Sequence, residues 1–400
     1  MKIKVVDFTE LPVHDTTWAL CGGIDGHAYV GACCEHIGGV NAVVVRYKSD
    51  GTREALMDMG DVAGQPADNG RATQCKVHDS LFVDSDGLLY AATHLSGPPV
   101  NQIIYNPWGN WMDNHVSFPG AVLAIYDTKT DTLISSDYIY PQEGCRALAL
   151  DPIRKKLYSC TYPLNHFHVW DIEKKQDTDY GRVGAVNPIC IWVDSKGNGY
   201  HCDDFGRVIR FNAETERLEF TEAFVTYPKK SQGGWHNVSY DIVNTKEKDV
   251  VMGVTWNSYP HLWKYDMNSD IVEDLGPIHQ DTTGREAPRI NNSHVAGLCF
   301  GPDDKLYMFG MTENNDLPGQ ALTHILRYIP ETREWEDLGP LVDDKGEKVW
   351  YISRAVWINR REIVGAIVGR VPTGVAHIIF DDDEIDDKGD PNFPQLRIWG

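Results

Sequence analysis

Residues 76–94 of the chain read KVHDSLFVDSDGLLYAATH, and this stretch contains the pattern that decides the fold. An apolar run with alternating side chains leads into an Asp-Gly turn, and a second run follows with a tyrosine near its centre. Runs of period two that are separated by Asp, Asn or Gly are typical of antiparallel strands joined by tight turns. The stretch therefore predicts a β-hairpin.

The hairpin pattern recurs along the chain, which indicates a repeat architecture. The second run of each copy contains one of the following anchors: Tyr29, Tyr90, Tyr158, Tyr200, Met252, Tyr307 and Val364. A third run follows in each copy and ends near one of a second series of anchors: Tyr47, Tyr126, Trp170, Phe211, Tyr265, Tyr328 and Phe380. The two series give seven copies, and their differences in length fall in loops such as 95–119 and 311–323.

Seven four-stranded antiparallel units predict an all-β fold, a seven-bladed β-propeller. One such unit cannot bury both of its faces, whereas units stacked around an axis bury each sheet against its neighbours. Two β-sandwiches, the competing fold, would not produce seven matched copies. We therefore expect residues 1–400 to form a single propeller domain with an acidic C-terminal segment at 381–390. The run 2–8 is expected to supply the closing strand of the last blade.

The charge balance limits the classes of partner. The 400 residues include 37 Lys and Arg against 58 Asp and Glu, a formal net charge of −21. Nucleic-acid binding by counterion release requires a basic face, so we expect no nucleic-acid partner. No apolar run of about 18 residues occurs, so we expect no membrane span. The first residues lack a signal-peptide pattern, which predicts a cytoplasmic protein for the chain as given, and an extracellular one if a leader was removed.

Cysteines and acidic residues give weak indications of a metal. The nine cysteines have no repeating spacing and lie mostly in apolar runs, which is typical of buried, reduced thiols. Cys33 and Cys34 lie close to His36, but no second pair of cysteines completes a zinc motif. The run 381–387, DDDEIDD, predicts a solvated acidic tail, with a calcium site as the alternative. We expect no cofactor, and leave open a structural calcium or another divalent metal.

The funnel at one end of a propeller axis is the expected place for a site, and the repeat locates the residues that line it. Equivalent positions lie 12 residues before and 4 residues after the second-run anchor. In the second copy these positions hold His78 and His94, and in the third copy they hold Arg146 and Tyr162. Packing alone does not require these residue types at one mouth, so we predict that the four form a catalytic cluster.

Other residues are candidates for lining a substrate. They lie near the starts of inner strands or in long loops: His236, His294, Arg289, Arg354, Trp108, Trp111 and Trp235. The tryptophans of loop 95–119 would stack on sugar rings, unless the loop packs on itself. His166 and His168 alternate on one strand and look like a metal-binding pair. The repeat places them away from the mouth, so we predict no metal there.

Two histidines, a tyrosine and an arginine without a carboxylate pair suit β-elimination better than hydrolysis. Glycosidases need two carboxylates across the scissile bond, and no G-x-S-x-G elbow supports a serine hydrolase. In elimination from a uronic acid, an arginine would stabilise the charge that develops beside the carboxylate when the C5 proton leaves. A histidine or the tyrosine would remove that proton, and the other would protonate the leaving oxygen.

Two stretches, KVHDSLFVDSDGLLYAATH (76–94) and CRALALDPIRKKLYSCTYPLNHFHVWD (145–171), resemble the seven-bladed propeller polysaccharide lyases. These include the ulvan lyases and the rhamnosyl-α-1,4-glucuronate lyase. The resemblance implies metal-independent β-elimination on a uronate-containing glycan substrate. It also implies that His78 and His94 are the paired histidines of the site, Tyr162 the acid or base, and Arg146 the group that neutralises the carboxylate.

Two other functions stay open on the sequence. A metal-dependent propeller enzyme, similar to oligouronate lyases or to lactonases, would need a metal at the axis, and the predicted mouth positions supply no glutamate for it. A non-catalytic interaction propeller would have no reactive cluster in its funnel. The grouping of His78, His94, Arg146 and Tyr162 therefore favours the lyase.

Overall fold

The computed structural model describes residues 1–35, 39–65, 70–95, 113, 115–184, 189–225, 239–255, 260–278, 290–313 and 321–385, with the backbone alone for 290–294, 311–313 and 321. These residues form 28 strands and one short helix. The strands group into four-stranded antiparallel units, seven in the described part of the chain. The all-β propeller fold that the repeat predicts is confirmed.

The chain begins with a strand that belongs to the last unit, and the other units then follow in sequence. The first strand and the first unit are β1 (Lys2–Asp7), β2 (Thr16–Gly22), β3 (Ala28–Cys33), β4 (Val43–Tyr47) and β5 (Arg53–Asp58). The helix α1 (Met59–Ala63) follows. The second unit consists of β6 (Lys76–Val83), β7 (Leu88–His94), β8 (Ala121–Asp127) and β9 (Thr132–Ile139). The third consists of β10 (Gly144–Asp151), β11 (Lys156–Tyr162), β12 (His166–Asp171) and β13 (Gln176–Arg182).

The remaining units have the same order of strands. The fourth consists of β14 (Ile191–Val193), β15 (Gly199–Cys202), β16 (Arg207–Asn212) and β17 (Arg217–Phe224). The fifth consists of β18 (Ser239–Asn244), β19 (Val250–Thr255), β20 (His261–Asp266) and β21 (Ile271–Pro277). The sixth consists of β22 (Ile290–Phe300), β23 (Leu306–Glu313), β24 (Ala321–Ile329) and β25 (Glu334–Pro340). The last consists of β26 (Ile352–Asn359), β27 (Glu362–Ile367), β28 (Gly374–Ile379) and β1.

Strand β1 joins the two ends of the repeat. It pairs with β28 in antiparallel register, from Lys2 opposite Ile379 to Asp7 opposite Gly374, as predicted for the run 2–8. The first strands of neighbouring units contact one another around the axis, among them β26 with β2, β2 with β6, and β6 with β10. Because an N-terminal strand completes the last unit, hydrogen bonds connect the two ends of the propeller. The assignment of all 400 residues to one domain stays a prediction.

A buried hydrogen bond explains why tyrosine recurs in the second strand. In five units the tyrosine hydroxyl donates to an aspartate near the preceding turn, with O–O distances of 2.7–3.3 Å, in the pairs Tyr29–Asp25, Tyr90–Asp84, Tyr158–Asp151, Tyr200–Asp194 and Tyr307–Asp303. The ring fills space in the core, and a buried hydroxyl requires a partner. The tyrosine–aspartate hydrogen bond therefore holds the turn against the second strand in each of these five units.

The cysteines are free thiols, as predicted, and eight of the nine are buried. Burial raises the pKa of Cys33 to about 12, and its Sγ lies 3.3 Å from the carbonyl oxygen of Val77. Cys33 is therefore a packed thiol, whereas His36 lies outside the described residues. No helix in the described part of the chain has the length and apolar character needed to cross a membrane.

The acidic run at 381–387 is described as far as residue 385, and the rest of the segment 381–390 lies outside the described residues. The Met1 amino group donates to Asp381 Oδ2 at 2.8 Å and to Glu384 Oε1 at 2.7 Å. Ile385 is buried. The acidic side chains of residues 381–384 are exposed, as expected for a solvated acidic segment, while Met1 and Ile385 hold the start of the segment against the domain. Residues 381–385 do not bring three carboxylates together as a calcium site would require.

His201, on β15, is a buried histidine that should make stability depend on pH. Burial lowers its pKa to about 4, whereas an unfolded histidine titrates near about 6.5. A depressed pKa in the folded state means that the stabilising contribution is complete above the unfolded pKa and is lost as pH falls toward the folded one. Urea unfolding measures the free energy of unfolding at about pH 7.5 and at about pH 5.5. Between these two pH values, this free energy should fall by about 1.4 kcal/mol less in His201→Gln than in the wild type. Equal losses in the two proteins would contradict this assignment.

Candidate active site at the propeller axis

Bulges in the first strands of several units point side chains toward the axis. In β10 the register with β11 passes from Cys145 to Ala147 and skips Arg146. In other first strands the register also shifts, and the skipped residues include Trp18, His78, Asp79, Tyr240 and Arg354. A bulge leaves the extra residue unpaired and redirects its side chain, and bulges are common beside active sites. The skipped residues of different units thus meet at one place.

The second and third units are joined at this place. Strands β6 and β10 share one parallel bridge, between Asp79 and Ala147, so His78 and Arg146 lie on adjacent strands. His94 ends β7 and is opposite Lys76, whereas Tyr162 ends β11 and is opposite Gly144. The structure therefore brings the four residues predicted as catalytic to the same end of two neighbouring blades.

Three of the four predicted residues form a continuous row of rings. The ring centroids of His78 and His94 are 5.7 Å apart, and those of His94 and Tyr162 are 5.2 Å apart with nearly parallel planes. Trp18 stacks on His78 at 5.0 Å. Both histidines are 4% exposed, and Tyr162 is half-buried. Packing on both sides thus limits the rotation of the two imidazoles.

His78 is oriented by a carboxylate that an arginine holds in turn. Its Nδ1 lies 2.7 Å from Asp79 Oδ2. The other oxygen of Asp79 accepts a hydrogen bond from Arg354, and Arg354 also lies 3.6 Å from Asp241 Oδ1. A carboxylate on Nδ1 fixes the tautomer with the proton on that nitrogen and leaves the lone pair on Nε2. His78 is therefore arranged to accept a proton at Nε2.

The electrostatics of the cluster keep both histidines neutral and the tyrosine protonated. Burial and the positive charges of Arg146 and Lys76 hold the pKa of His78 and of His94 well below its usual range. Burial raises the pKa of Tyr162, an effect that Arg146 opposes. Neither ring nitrogen of His94 forms a hydrogen bond of ordinary geometry with a described residue, although the backbone of Leu95 is close enough to oppose the fall of its pKa. At neutral pH the site thus offers two neutral imidazoles and one phenol that can donate a proton.

Arg146 is a buried cation that makes no direct ion pair or hydrogen bond within the described residues, although the carboxylates of Asp79 and Glu35 are close enough to raise its pKa against the effect of burial. The other cations of the cluster are paired, since Lys76 Nζ lies 2.6 Å from Glu35 and Arg354 contacts two carboxylates. Arg146 is 7% exposed, and neither an ion pair nor a hydrogen bond joins its guanidinium to another described residue. Burial lowers its pKa. Because an unpaired buried charge is destabilising, its presence favours a site for an external anion.

A cavity of about 290 Å³ lies on the axis beside the row of rings. Its wall is built from the first strands or their ends in six units, and its charged or titratable side chains are His78, Asp79, Cys190, Asp241 and Arg354. His78 thus belongs both to the cavity wall and to the row of rings. The other three predicted catalytic residues do not line this cavity.

The remaining predicted residues are placed only in part. Arg354 lies in the cluster, but its charge is balanced by Asp79 and Asp241, so it is less suited than Arg146 to hold a substrate carboxylate. His294 lies on β22, but its side chain is outside the described residues. Also outside them are Trp108, Trp111, Trp235, His236 and Arg289. The roles of all these residues stay predictions.

Sequence reasoning missed Asp79, Asp241 and Trp18, although a signal for them exists. All three residues lie on the first strands of their units, at or next to the bulges. Asp79 directly follows His78. Strict alternation would have placed neighbouring residues on opposite faces. The bulge in β6 removes that alternation, so the side chains of His78 and Asp79 meet.

Comparison with known proteins supports the fold. No family model matches the chain, and no curated protein matches its sequence. Among solved structures, the virginiamycin B lyase of Staphylococcus aureus is similar, with a TM-score of 0.58, 10% identity, and coverage of 95% of this chain and 99% of that one. The WD40 repeats of RRP9 have a TM-score of 0.56, 10% identity, and coverage of 95% and 98%.

A third similar structure is the extracellular domain of a one-component system from B. thetaiotaomicron, with a TM-score of 0.57 and 12% identity over 94% of this chain. The present chain spans 40% of the length of that protein. At such identities the likeness shows the propeller fold alone, and this fold occurs in a lyase and in WD40 repeats. The resemblance to polysaccharide lyases therefore depends on the sequence motifs and not on these neighbours.

Proposed function

We propose that the protein is a lyase that cleaves a uronate-containing glycan by β-elimination, at a glucuronate-type linkage such as rhamnose-α-1,4-glucuronate. The observation that carries the proposal is the unpaired guanidinium of Arg146 next to two neutral histidines and a protonated tyrosine. A carboxylate is the anion that a guanidinium binds with two parallel hydrogen bonds. Binding it there withdraws charge from the carbon that loses a proton.

His78 is the proposed base. Asp79 holds the proton of the imidazole on Nδ1, so Nε2 can accept a proton from the substrate. The low pKa of His78 keeps this nitrogen unprotonated at neutral pH. When the imidazolium forms, the carboxylate of Asp79 stabilises it, as an aspartate does beside a catalytic histidine. His94 lies between the base and the acid, where its unpartnered nitrogens can hold a substrate hydroxyl.

Tyr162 is the proposed acid. In the reaction, the C5 proton of the uronate moves to His78 Nε2, and the C–H electrons form the double bond between C4 and C5. The bond between C4 and the glycosidic oxygen breaks, and that oxygen takes the proton of the Tyr162 hydroxyl. The products are an unsaturated uronate and a free hydroxyl end. Transfer of a proton from the imidazolium to the phenolate, directly or through water, restores the enzyme.

The two other functions that the sequence left open are alternatives for the test. Lyase activity on a propeller is known for the virginiamycin B lyase, and its action on that antibiotic is a property of that protein. A propeller that only binds a partner could use Arg146 to hold an anion, but it would not need a histidine oriented by a carboxylate beside that arginine. A metal-dependent enzyme would need ligands at the axis, and the described residues gather metal ligands only in the third unit, away from the axial cavity.

The hydroxyl of Tyr162 gives a direct test, with a matched control on the same strand. We expect Tyr162→Phe to lose about 10²–10⁴-fold in kcat, because proton donation to the leaving oxygen is lost. Its stability should change little. The assay is the ultraviolet absorbance of the unsaturated product, measured across a panel of glucuronate-containing glycans.

The control is Tyr158→Phe, which removes a hydroxyl that donates to Asp151 Oδ2 at 3.0 Å and to the Gly197 carbonyl oxygen at 2.8 Å. This change should cost about 1–3 kcal/mol of stability and leave kcat unchanged, since the Gly197 carbonyl oxygen loses its donor, whereas Asp151 Oδ2 still accepts from Arg154. Full activity in Tyr162→Phe would exclude the assignment of the acid. No absorbance change with any uronate glycan would exclude the proposed reaction.

A further inference from the structure

The third unit carries a second polar cluster, apart from the row of rings. Glu143 lies immediately before β10, and His166 and His168 lie on β12. Each of the three offers a ligand atom, and these atoms lie within 4.8 Å of one another. The two histidines are two residues apart, so they share one face of the strand. Three ligating side chains of mixed nitrogen and oxygen type thus converge.

Each histidine of this cluster has one nitrogen occupied by a carboxylate. His166 Nδ1 lies 2.9 Å from Asp179 Oδ2, and His168 Nδ1 lies 2.8 Å from Asp177 Oδ2. This leaves Nε2 of each ring as the nitrogen able to bind a metal, and the nearest charged group to Nε2 of His168 is Asp179 Oδ1 at 4.0 Å. Metal-binding histidines usually have such a carboxylate on the other nitrogen, which fixes the ring and its tautomer.

Two of the ligand groups have buried atoms that lack a partner. His168 is 5% exposed and Glu143 is 7% exposed. Nε2 of His168 and Oε2 of Glu143 have no hydrogen bond with any described residue. Buried polar atoms are almost always satisfied, by protein, water or an ion. One ion bound between them would satisfy both atoms.

Two other units contain the histidine–aspartate pair of this cluster but not its second histidine. His261 pairs with Asp274 and His324 pairs with Asp337, in each case with the carboxylate 13 residues after the histidine, as in the third unit. The histidine–aspartate pair is therefore a recurring structural feature. Two residues further along, these units have Trp263 and Leu326, so neither has a second histidine.

We propose that Glu143, His166 and His168 bind one divalent transition-metal ion of the zinc class. Two imidazoles and one carboxylate suit zinc and its neighbours in the first transition row, whereas calcium and magnesium prefer oxygen ligands. Zinc bonds of about 2.0–2.2 Å would place the ligand atoms roughly 3.3 Å apart, so the side chains need to move by only about 1 Å to close on the ion. A fourth position is left for water.

The backbone holds the cluster in place. The Glu143 peptide N–H donates to the Tyr140 carbonyl oxygen at 3.0 Å, and its carbonyl oxygen accepts from the Ala121 N–H at 2.9 Å. The ring of Tyr140 lies 4.4 Å from that of His168. An ion here would link the start of β10 to the start of β12, on either side of the strand that ends at Tyr162. The site is independent of the lyase proposal, because binding can be measured without substrate.

The test measures metal binding to the whole chain. Protein stripped with a chelator and dialysed against Zn²⁺ should retain about one equivalent by elemental analysis and should melt several degrees higher than the stripped protein. Co²⁺ should give visible absorption bands typical of mixed nitrogen and oxygen ligation. We expect Glu143→Ala and His168→Ala to weaken Zn²⁺ binding by at least about 10²-fold, and Asp177→Asn to weaken it by about 10–100-fold.

His261→Ala is the matched control, since it removes the same histidine–aspartate pair from a unit without a second histidine, and it should leave Zn²⁺ binding unchanged. If His168→Ala fails to fold, the milder Asp177→Asn variant decides the question, since Asp177 is not itself a ligand. The proposal is overturned if Zn²⁺ is not retained, if Glu143→Ala and Asp177→Asn bind it as tightly as the wild type, or if Ca²⁺ binds equally well.

Discussion

Replacing Arg146 by methionine is expected to lower kcat/KM by about 10²–10³-fold while leaving the melting temperature unchanged or raising it. The loss of rate follows from removing the group that stabilises negative charge next to the reacting carbon. The stability follows from the burial of a guanidinium without a partner among the described residues. Removing this charge relieves its desolvation, and that gain is expected to offset the lost attraction between Arg146 and Asp79, which do not form a direct ion pair. Opposite effects on rate and stability are typical of residues kept for function.

Arg46 offers a matched control for this change. It is also 7% exposed, but its guanidinium lies 2.7 Å from both Glu54 and Asp131. Arg46→Met should therefore lower stability, because it leaves two carboxylates without their cation, and it should not alter kcat/KM. The measurements are thermal unfolding and initial rates on the same preparations. A large destabilisation of Arg146→Met with unchanged kcat/KM would show that Arg146 is structural.

The chemistry of the substrate separates carboxylate binding from other roles of Arg146. The methyl ester of the uronate lacks the negative charge, so it should be cleaved at similar rates by the wild type and by Arg146→Met. Arg146→Lys should lie between them on the free acid, because an ammonium keeps the charge but cannot form two parallel hydrogen bonds. An equal loss on acid and ester would contradict the assignment of Arg146 to the carboxylate.

The fold could be predicted because every four-stranded unit buries the same kinds of side chain at the same positions. A tyrosine such as Tyr158 or Tyr200 must be buried between sheets and must find an acceptor, and the aspartate near the preceding turn, 7 or 6 residues earlier, supplies it. These requirements are local, so they leave a pattern in the sequence. The closing strand was predictable for the same reason, since the last copy lacks an outer strand and the run 2–8 has no other partner.

The candidate site could be predicted only where it follows the repeat. Stepping along the anchors identified His94 and Tyr162 at the regular ends of the second strands, and His78 and Arg146 on the first strands. The ion pair between Arg354 and Asp79 joins residues 275 apart in sequence, and no local pattern marks such a contact. The bulge that brings His78 and Asp79 together also breaks the alternation on which prediction of strand faces depends. His166 and His168 were recognised as a pair, but no metal was predicted there because the repeat places them away from the mouth, and Glu143, the third residue of the proposed site, lies in a turn outside the repeated positions.

The net charge of −21 describes the whole chain, whereas the charge near the axis depends on the ion pairs there. Near the axis, Lys76 and Arg354 are matched by carboxylates, and Arg146 alone among these three makes no direct ion pair in the described residues. The three cations face three carboxylates, those of Glu35, Asp79 and Asp241, so an anionic substrate would approach a negative protein and bind at Arg146 through direct hydrogen bonds and not through a net positive charge. Long-range attraction contributes little to such binding, because exposed charges are screened beyond about 10 Å at moderate salt. Short-range hydrogen bonds to the guanidinium have to supply the affinity.

Replacing Arg354 by methionine is expected to have the largest effect on stability, a loss of about 3–5 kcal/mol. Arg354 contacts Asp79 and Asp241, whose side chains are 8% and 6% exposed. Removing the cation leaves both carboxylates buried without it, and this is far more costly than losing a pair at the surface. Urea unfolding at about pH 7.5 measures the loss. Arg370→Met is the control, since Arg370 also contacts two carboxylates, but these are 32% and 53% exposed, and about 1 kcal/mol or less is expected.

The pH dependence of the Arg354→Met variant distinguishes this cause from lost packing. Burial already raises the pKa of Asp79 and of Asp241, an effect that Arg354 opposes. Without Arg354 the pKa of each carboxyl rises further above its unfolded value. A group with a raised folded pKa contributes stability at low pH and loses it as pH rises through that pKa. The deficit of the variant relative to the wild type should therefore shrink as the pH is lowered toward about 5, whereas a packing defect would give the same deficit at every pH.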